Sequence, residues 1–160
     1  MNKYLYFLRH ATAEVIRPNQ LDIDRCLIEK GRLQARRVAH FMQRHNISPE
    51  VILSSPYPRA IQTAAIVCKE ADLVQARERD WLALATDSQS VLSQLHQQLP
   101  TLPQHTLLVG HEPDFSTLLS LLLGNHQPAL KIRKASLTCL AYCEVSNSFQ
   151  LEWSVPAKFM

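Results

Sequence analysis

Three short apolar runs constrain this chain more than any other feature: Tyr4-Leu5-Tyr6-Phe7-Leu8, Val51-Ile52-Leu53 and Thr106-Leu107-Leu108-Val109. Each is short for a helix, nearly continuous in its apolar character, and ended abruptly by arginine, serine or glycine. The first reads as a short, aromatic-rich strand over residues 3–8 and the other two as buried strands. Between them the periodicity changes. Leu33, Val38, Phe41 and Met42 recur near helical spacing over residues 31–45, and 59–71 reads as a second helix. Asp87 or Ser88 can cap a third, carrying Val91, Leu92, Leu95 and Leu99 on one face, and Pro113 opens a strongly apolar fourth that Gly124 stops.

Strands alternating with helices predict a parallel layer between helices. Two more strands are expected at about 132–144 and 148–154, joined near Asn147 and adding antiparallel edges. The stretches 11–28 and 72–87 have no clear period; the second is expected to hold one short strand and a loop. The expected fold is therefore α/β: a three-layer α/β/α sandwich on a mixed, mostly parallel sheet, with residues 1–160 forming one domain.

Composition excludes several function classes. Seventeen Lys and Arg against fourteen Asp and Glu give a net charge of +3, and the basic residues are scattered among carboxylates. That balance suits a mild attraction for anions and lacks the basic stripe of a nucleic-acid binder. No window approaches the roughly 20 apolar residues of a membrane span. The first residues lack both the length of a signal core and a small-residue cleavage site, so a cytoplasmic location is expected. Cys26, Cys68, Cys139 and Cys143 have no CxxC spacing and read as reduced thiols, with no metal site expected. Lys131, Arg133 and Lys134 cluster beside the last strands, where they either guard a solvated sheet edge or help dock an acidic phosphoprotein.

The chemistry collects after the strands. Arg9-His10 follows the first, Ser54-Ser55-Pro56 and then Arg59 the second, and Gly110-His111 the third, just ahead of a helix. In open α/β sheets ligands bind beyond the carboxyl ends of the strands, so two arginines and two histidines are expected to converge there. Guanidinium forks match phosphate oxygens, and a helix start aims N–H groups at the same anion. Positive neighbours disfavour imidazolium, which keeps a histidine neutral, as a nucleophile must be. Singly, an Arg-His pair, a Gly-His after a strand or a Ser-Ser-Pro turn means little; the combination points to phosphoryl transfer without a metal or other cofactor.

These residues resemble the histidine phosphatase superfamily, also called phosphoglycerate mutase-like, and within it the short SixA-like phosphohistidine phosphatases. The motifs are Leu8-Arg9-His10-Ala11-Thr12-Ala13-Glu14, Ser54-Ser55-Pro56-Tyr57-Pro58-Arg59-Ala60-Ile61-Gln62-Thr63 and Val109-Gly110-His111-Glu112-Pro113. A weaker one runs from Asp24-Arg25-Cys26-Leu27 to Gly31-Arg32-Leu33-Gln34-Ala35. The resemblance implies that His10 accepts the phosphoryl group and that Arg9 and Arg59 hold its oxygens. It implies that His111 stabilises the transition state and that Arg25 and Thr12 contact substrate.

Two departures matter. Ala11 stands where the family's signature usually has glycine. No residue is matched to the glutamate that larger relatives use as general acid, and the chain is too short for their helical insertion. A phosphorylated imidazole leaves without such an acid, so the expected substrate is a phosphohistidine-bearing protein, such as a phosphotransfer domain or phosphocarrier. The alternatives are a small phosphate ester, with Asp87 or Glu14 as the acid, and a phosphate-binding module without turnover.

Overall fold

Alternation along the strands explains the architecture. In β1 (Asn2–Arg9), Tyr6 and Leu8 enter one hydrophobic cluster while Leu5 and Phe7 enter another. In β4 (His105–Gly110), Leu107 and Val109 join the first cluster and Leu108 the second. Successive side chains of a strand point to opposite faces, so a continuous apolar run needs a core on both. Two helix layers supply them. Helices α1 (Glu29–Arg44) and α2 (Pro58–Glu70) pack on the first cluster, and α3 (Ser88–Gln98) and α4 (Asp114–Leu122) on the second.

The structure is a computed structural model describing residues 2–160. With β2 (Val51–Ser54), β3 (Arg77–Glu78), β5 (Leu137–Cys143) and β6 (Ser148–Val155), its sheet has the order β3-β2-β4-β1-β5-β6. β1, β2 and β3 join parallel pairs through β4 and β2, whereas β5 pairs antiparallel with β1 and with β6. The three-layer α/β/α sandwich on a mixed sheet is thus the observed fold. Asp87 does cap α3, accepting the Ser90 N–H at 3.1 Å. Among the described residues all four cysteines are free, and no helix is long and apolar enough to cross a membrane.

Two expectations need correction. The strand expected from residue 132 begins only at Leu137. Ala135 sits at φ 58°, in the left-handed region that ends an extended run, and its N–H donates to the Arg9 carbonyl at 3.1 Å. Accordingly, Lys131, Arg133 and Lys134 guard no sheet edge: the edges are β3 and β6, and the cluster lies on a loop beside Arg9.

Candidate active site

Parallel register brings the motifs together. Arg9 lies opposite Gly110 and Ser54 opposite Val109. The pairing continues one residue beyond the strands: His10 N–H donates to the Gly110 carbonyl and Ser55 N–H to the Val109 carbonyl, both at 2.9 Å. His10, Ser55 and His111 therefore emerge at the carboxyl ends of three adjacent strands, and Arg59 enters from the first turn of α2.

His10 is 6 % exposed, and its Nδ1 lies 2.7 Å from the Ala11 carbonyl oxygen. A carbonyl only accepts, so Nδ1 carries the proton and Nε2 keeps its lone pair. Burial lowers the His10 pKa to about 4; the Ala11 hydrogen bond opposes that shift, and Arg59, Arg9 and Arg25 add to it. The ring is accordingly neutral at physiological pH, with an unprotonated Nε2.

His111 is 1 % exposed, with its ring centroid 5.2 Å from that of His10. Burial, then His10 and Arg59, lower its pKa to about 3. Its Nε2 lies 2.7 Å from Ser55 Oγ, which already accepts the Tyr57 N–H at 3.1 Å. If the Ser55 hydroxyl donates to Nε2, the His111 proton resides on Nδ1, which in either tautomer is a buried atom without a partner. A phosphoryl oxygen would supply one.

Two guanidinium groups lie at the same strand ends. Arg9 Nη1 donates to the Ile132 carbonyl at 2.9 Å, and its Nε is buried without a partner. Arg59 is 2 % exposed, stacks at 5.2 Å over the Tyr57 ring, and likewise has an unpartnered buried Nε. Its Nη1 and Nη2 donate to the backbone carbonyl and carboxylate of Asp22, at 2.8 and 3.0 Å. Buried charged donors left open are costly unless an anion satisfies them.

Neighbouring side chains brace the loop after β1. Thr63 Oγ1 accepts the Ala11 N–H at 3.0 Å and donates to the Arg59 carbonyl at 2.7 Å, which ties the two functional segments to one helical turn. Gln34 Oε1 accepts both the N–H and the hydroxyl of Thr12, and Gln62 Oε1 accepts the Leu27 N–H. Ala11 is fully buried, and its φ is not positive, so the glycine usual there is not required for backbone reasons.

Arg9, His10, Arg59 and His111 thus meet as expected. Arg25 reaches the site's edge, donating to Asp22 Oδ1 at 2.9 Å and to the Glu14 carbonyl. Thr12, with both its groups on Gln34, faces a neighbouring groove. Neither expected acid is free. The Glu14 carboxylate accepts the Cys26 N–H at 2.9 Å and pairs with Arg17, which hold its pKa below the usual range. Asp87 is the α3 cap. Two residues of the site escaped the sequence reading: Ser55, taken only as a turn former, and Asp22, just outside the weaker motif.

A model of the histidine phosphatase superfamily (branch 1) matches residues 5–83. An uncharacterized protein of Picosynechococcus sp. is 30% identical over 134 residues, covering 83% of this chain and 81% of that protein. Among solved structures, the protein histidine phosphatase SixA complexed with tungstate superposes with a TM-score of 0.86 at 21% identity, over 98% of both chains. A protein of Agrobacterium tumefaciens assigned as a phosphohistidine phosphatase SixA gives 0.80 at 26% identity, covering 96% of this chain and 97% of that one. Mycobacterial glucosyl-3-phosphoglycerate phosphatase gives 0.71 at 20% identity, over 95% of this chain and 98% of its own.

Proposed function

Because the chain belongs to the histidine phosphatase superfamily, we propose that it hydrolyses phosphohistidine on another protein through a covalent phospho-His10 intermediate, without a metal. The observation that carries this reading is the pair of hydrogen-bonding states at His10: Nδ1–H committed to the Ala11 carbonyl at 2.7 Å, and Nε2 free.

In the first step the Nε2 lone pair attacks phosphorus while the P–N bond to the substrate imidazole breaks. A proton on that ring's other nitrogen lets it leave as neutral imidazole, so no enzyme carboxylic acid is needed. Arg9 and Arg59 hold the equatorial oxygens, and the His111 Nδ1–H donates to the charge that develops there. In the second step water attacks phospho-His10. The P–Nε2 bond breaks, dihydrogen phosphate departs with both water protons, and His10 returns to its neutral tautomer with the proton still on Nδ1.

An alkoxide leaving group would need a protonated acid within reach. Glu14 and Asp87 are held in other bonds, and Asp22 is kept ionised by Arg25 and Arg59. This favours the phosphoramidate substrate over a small ester.

The test follows phosphate release from a phosphohistidine-bearing carrier protein in the presence of a chelator, for the native chain and for His10→Ala. Rapid release that survives the chelator and vanishes in the variant supports the proposal. Failure on the carrier with brisk hydrolysis of a sugar phosphate would assign the site to small esters, and silence on both would leave a binding module.

A further inference from the structure

A groove of about 810 Å³ opens beside Arg9, and six cationic side chains line it: Arg9, Lys30, Arg37, Arg133, Lys134 and Lys158. No carboxylate lines it, and among the described residues none of the six takes part in an ion pair. These residues come from β1, α1, the loop before β5 and the final turn after β6, so the fold assembles the charge from distant segments. Without these six, eleven Lys and Arg remain against fourteen Asp and Glu. A chain with modest net charge thus concentrates its positive excess on one concave surface, which terminates at a phosphoryl-binding arginine.

We propose that this groove docks an acidic surface of the phosphoprotein substrate, with Arg9 as the junction between docking and chemistry. The inference rests on the protein-phosphohistidine reading of the site. Several observations select a protein occupant. The volume far exceeds one phosphate, and Lys30, Arg37, Arg133, Lys134 and Lys158 are exposed side chains spread along it rather than focused on one point. Leu33, Pro156 and Ala157 give it apolar ground between the charges, as a protein interface has. No aromatic ring lines it to stack a nucleobase. Unpaired cations attract a complementary face at long range and orient it, so their effect falls on encounter with a protein and not on the bond-breaking step.

The decisive variant reverses five charges and spares Arg9: Lys30→Glu, Arg37→Glu, Arg133→Glu, Lys134→Glu and Lys158→Glu together. Three readouts accompany it: binding of a poly-glutamate peptide, kcat/KM on the phosphohistidine carrier, and hydrolysis of phosphoramidate. The native chain is expected to bind the peptide in a salt-sensitive way, and the variant to lose about tenfold or more in both peptide affinity and carrier kcat/KM. Phosphoramidate hydrolysis, which needs no docking, should remain within about twofold, reporting an intact fold and site. Equal peptide binding by both chains, or by neither, overturns the proposal. Tighter, reversal-sensitive binding of single-stranded RNA than of peptide overturns the protein occupant. If the native chain fails on the carrier while the peptide results hold, the substrate reading has failed and the basic groove stands as a dock for acidic protein surfaces.

Discussion

Asp22 occupies both outer nitrogens of Arg59, its carbonyl oxygen 2.8 Å from Nη1 and a carboxylate oxygen 3.0 Å from Nη2. A phosphoryl group bound as proposed would use the same fork, and the Asp22 carboxylate would then compete with it for Nη2. The Asp22 side chain is 43% exposed and sits on a short 3-10 turn, so it can swing away at modest cost. Replacing Asp22 with alanine should strengthen inhibition by inorganic phosphate about threefold to tenfold, the size of a partly exposed charged hydrogen bond. Product-inhibition kinetics read this directly. Unchanged or weaker phosphate binding would show that Asp22 braces Arg59 instead of competing with it.

The buried histidines set a pH signature. His10 and His111 are held near 4 and near 3 in the folded chain, against 6.5 for an ordinary imidazole, chiefly by burial. As pH falls below 6.5 the unfolded chain takes up protons that the folded one refuses, so stability is full above that value and declines toward pH 4. NMR titration should show both rings neutral at pH 5, with the His10 proton on Nδ1. Urea midpoints should fall steadily from pH 7 to 4, and His10→Phe should flatten part of that slope. Ring resonances moving near pH 6.5 would contradict the buried, arginine-flanked environment.

Ser55 fixes the tautomer of His111. Its Oγ accepts from Tyr57 and lies 2.7 Å from Nε2, and a hydroxyl donating there holds the His111 proton on Nδ1. In Ser55→Ala that preference is lost and Nε2 is buried without a partner. The expected result is a fall in kcat of about tenfold to a hundredfold, typical of losing a group that orients a catalytic donor, with KM little changed. Restoration by Ser55→Thr would confirm that the hydroxyl is what matters. A fall in KM-linked binding alone would place the effect in the turn at Tyr57.

The fold was legible because its signals are local. Apolar runs at 4–8, 51–53 and 106–109 announced strands, and helical spacing with an Asp87 or Ser88 cap announced the helices around them. Arg9, His10 and His111 were legible because they stand at or just beyond strand ends that parallel pairing brings together, and Arg59 because α2 starts soon after β2. What escaped depends on long-range geometry. Asp22 reaches Arg59 across 37 positions and Ser55 reaches His111 across 56, and no spacing rule encodes either. Ile132 stood at the start of an expected strand. It is buried, but as a loop residue whose carbonyl serves Arg9, and the turn at Ala135 delays the strand. The basic groove was hidden for the same reason: Lys30, Arg133 and Lys158 meet only after folding.

Gly31 offers a test of how tightly the loop carrying His10 is clamped. It is buried in the first turn of α1, where a Cβ would lie 2.1 Å from the carbonyl oxygen of Thr12. That oxygen already accepts the Ile28 N–H at 3.2 Å, while Gln34 holds the Thr12 N–H from the same helix. The obstructing atom is backbone with bonds on both sides, so it cannot rotate aside as a flexible side chain would. Alanine ordinarily favours a helix by about 1 kcal/mol over glycine. Here that gain is outweighed, because α1 must move off the loop or the loop must shift with Ala11 and His10. Gly31→Ala is therefore expected to destabilise the chain by about 2–4 kcal/mol, in the range of overpacking against an unyielding neighbour. Activity at low temperature should also fall, since the Nδ1 anchor of His10 is the adjacent Ala11 carbonyl. Urea denaturation with parallel phosphate-release assays separates the two effects. A stabilised Gly31→Ala would show that α1 and the loop are not in the close contact that the structure gives them.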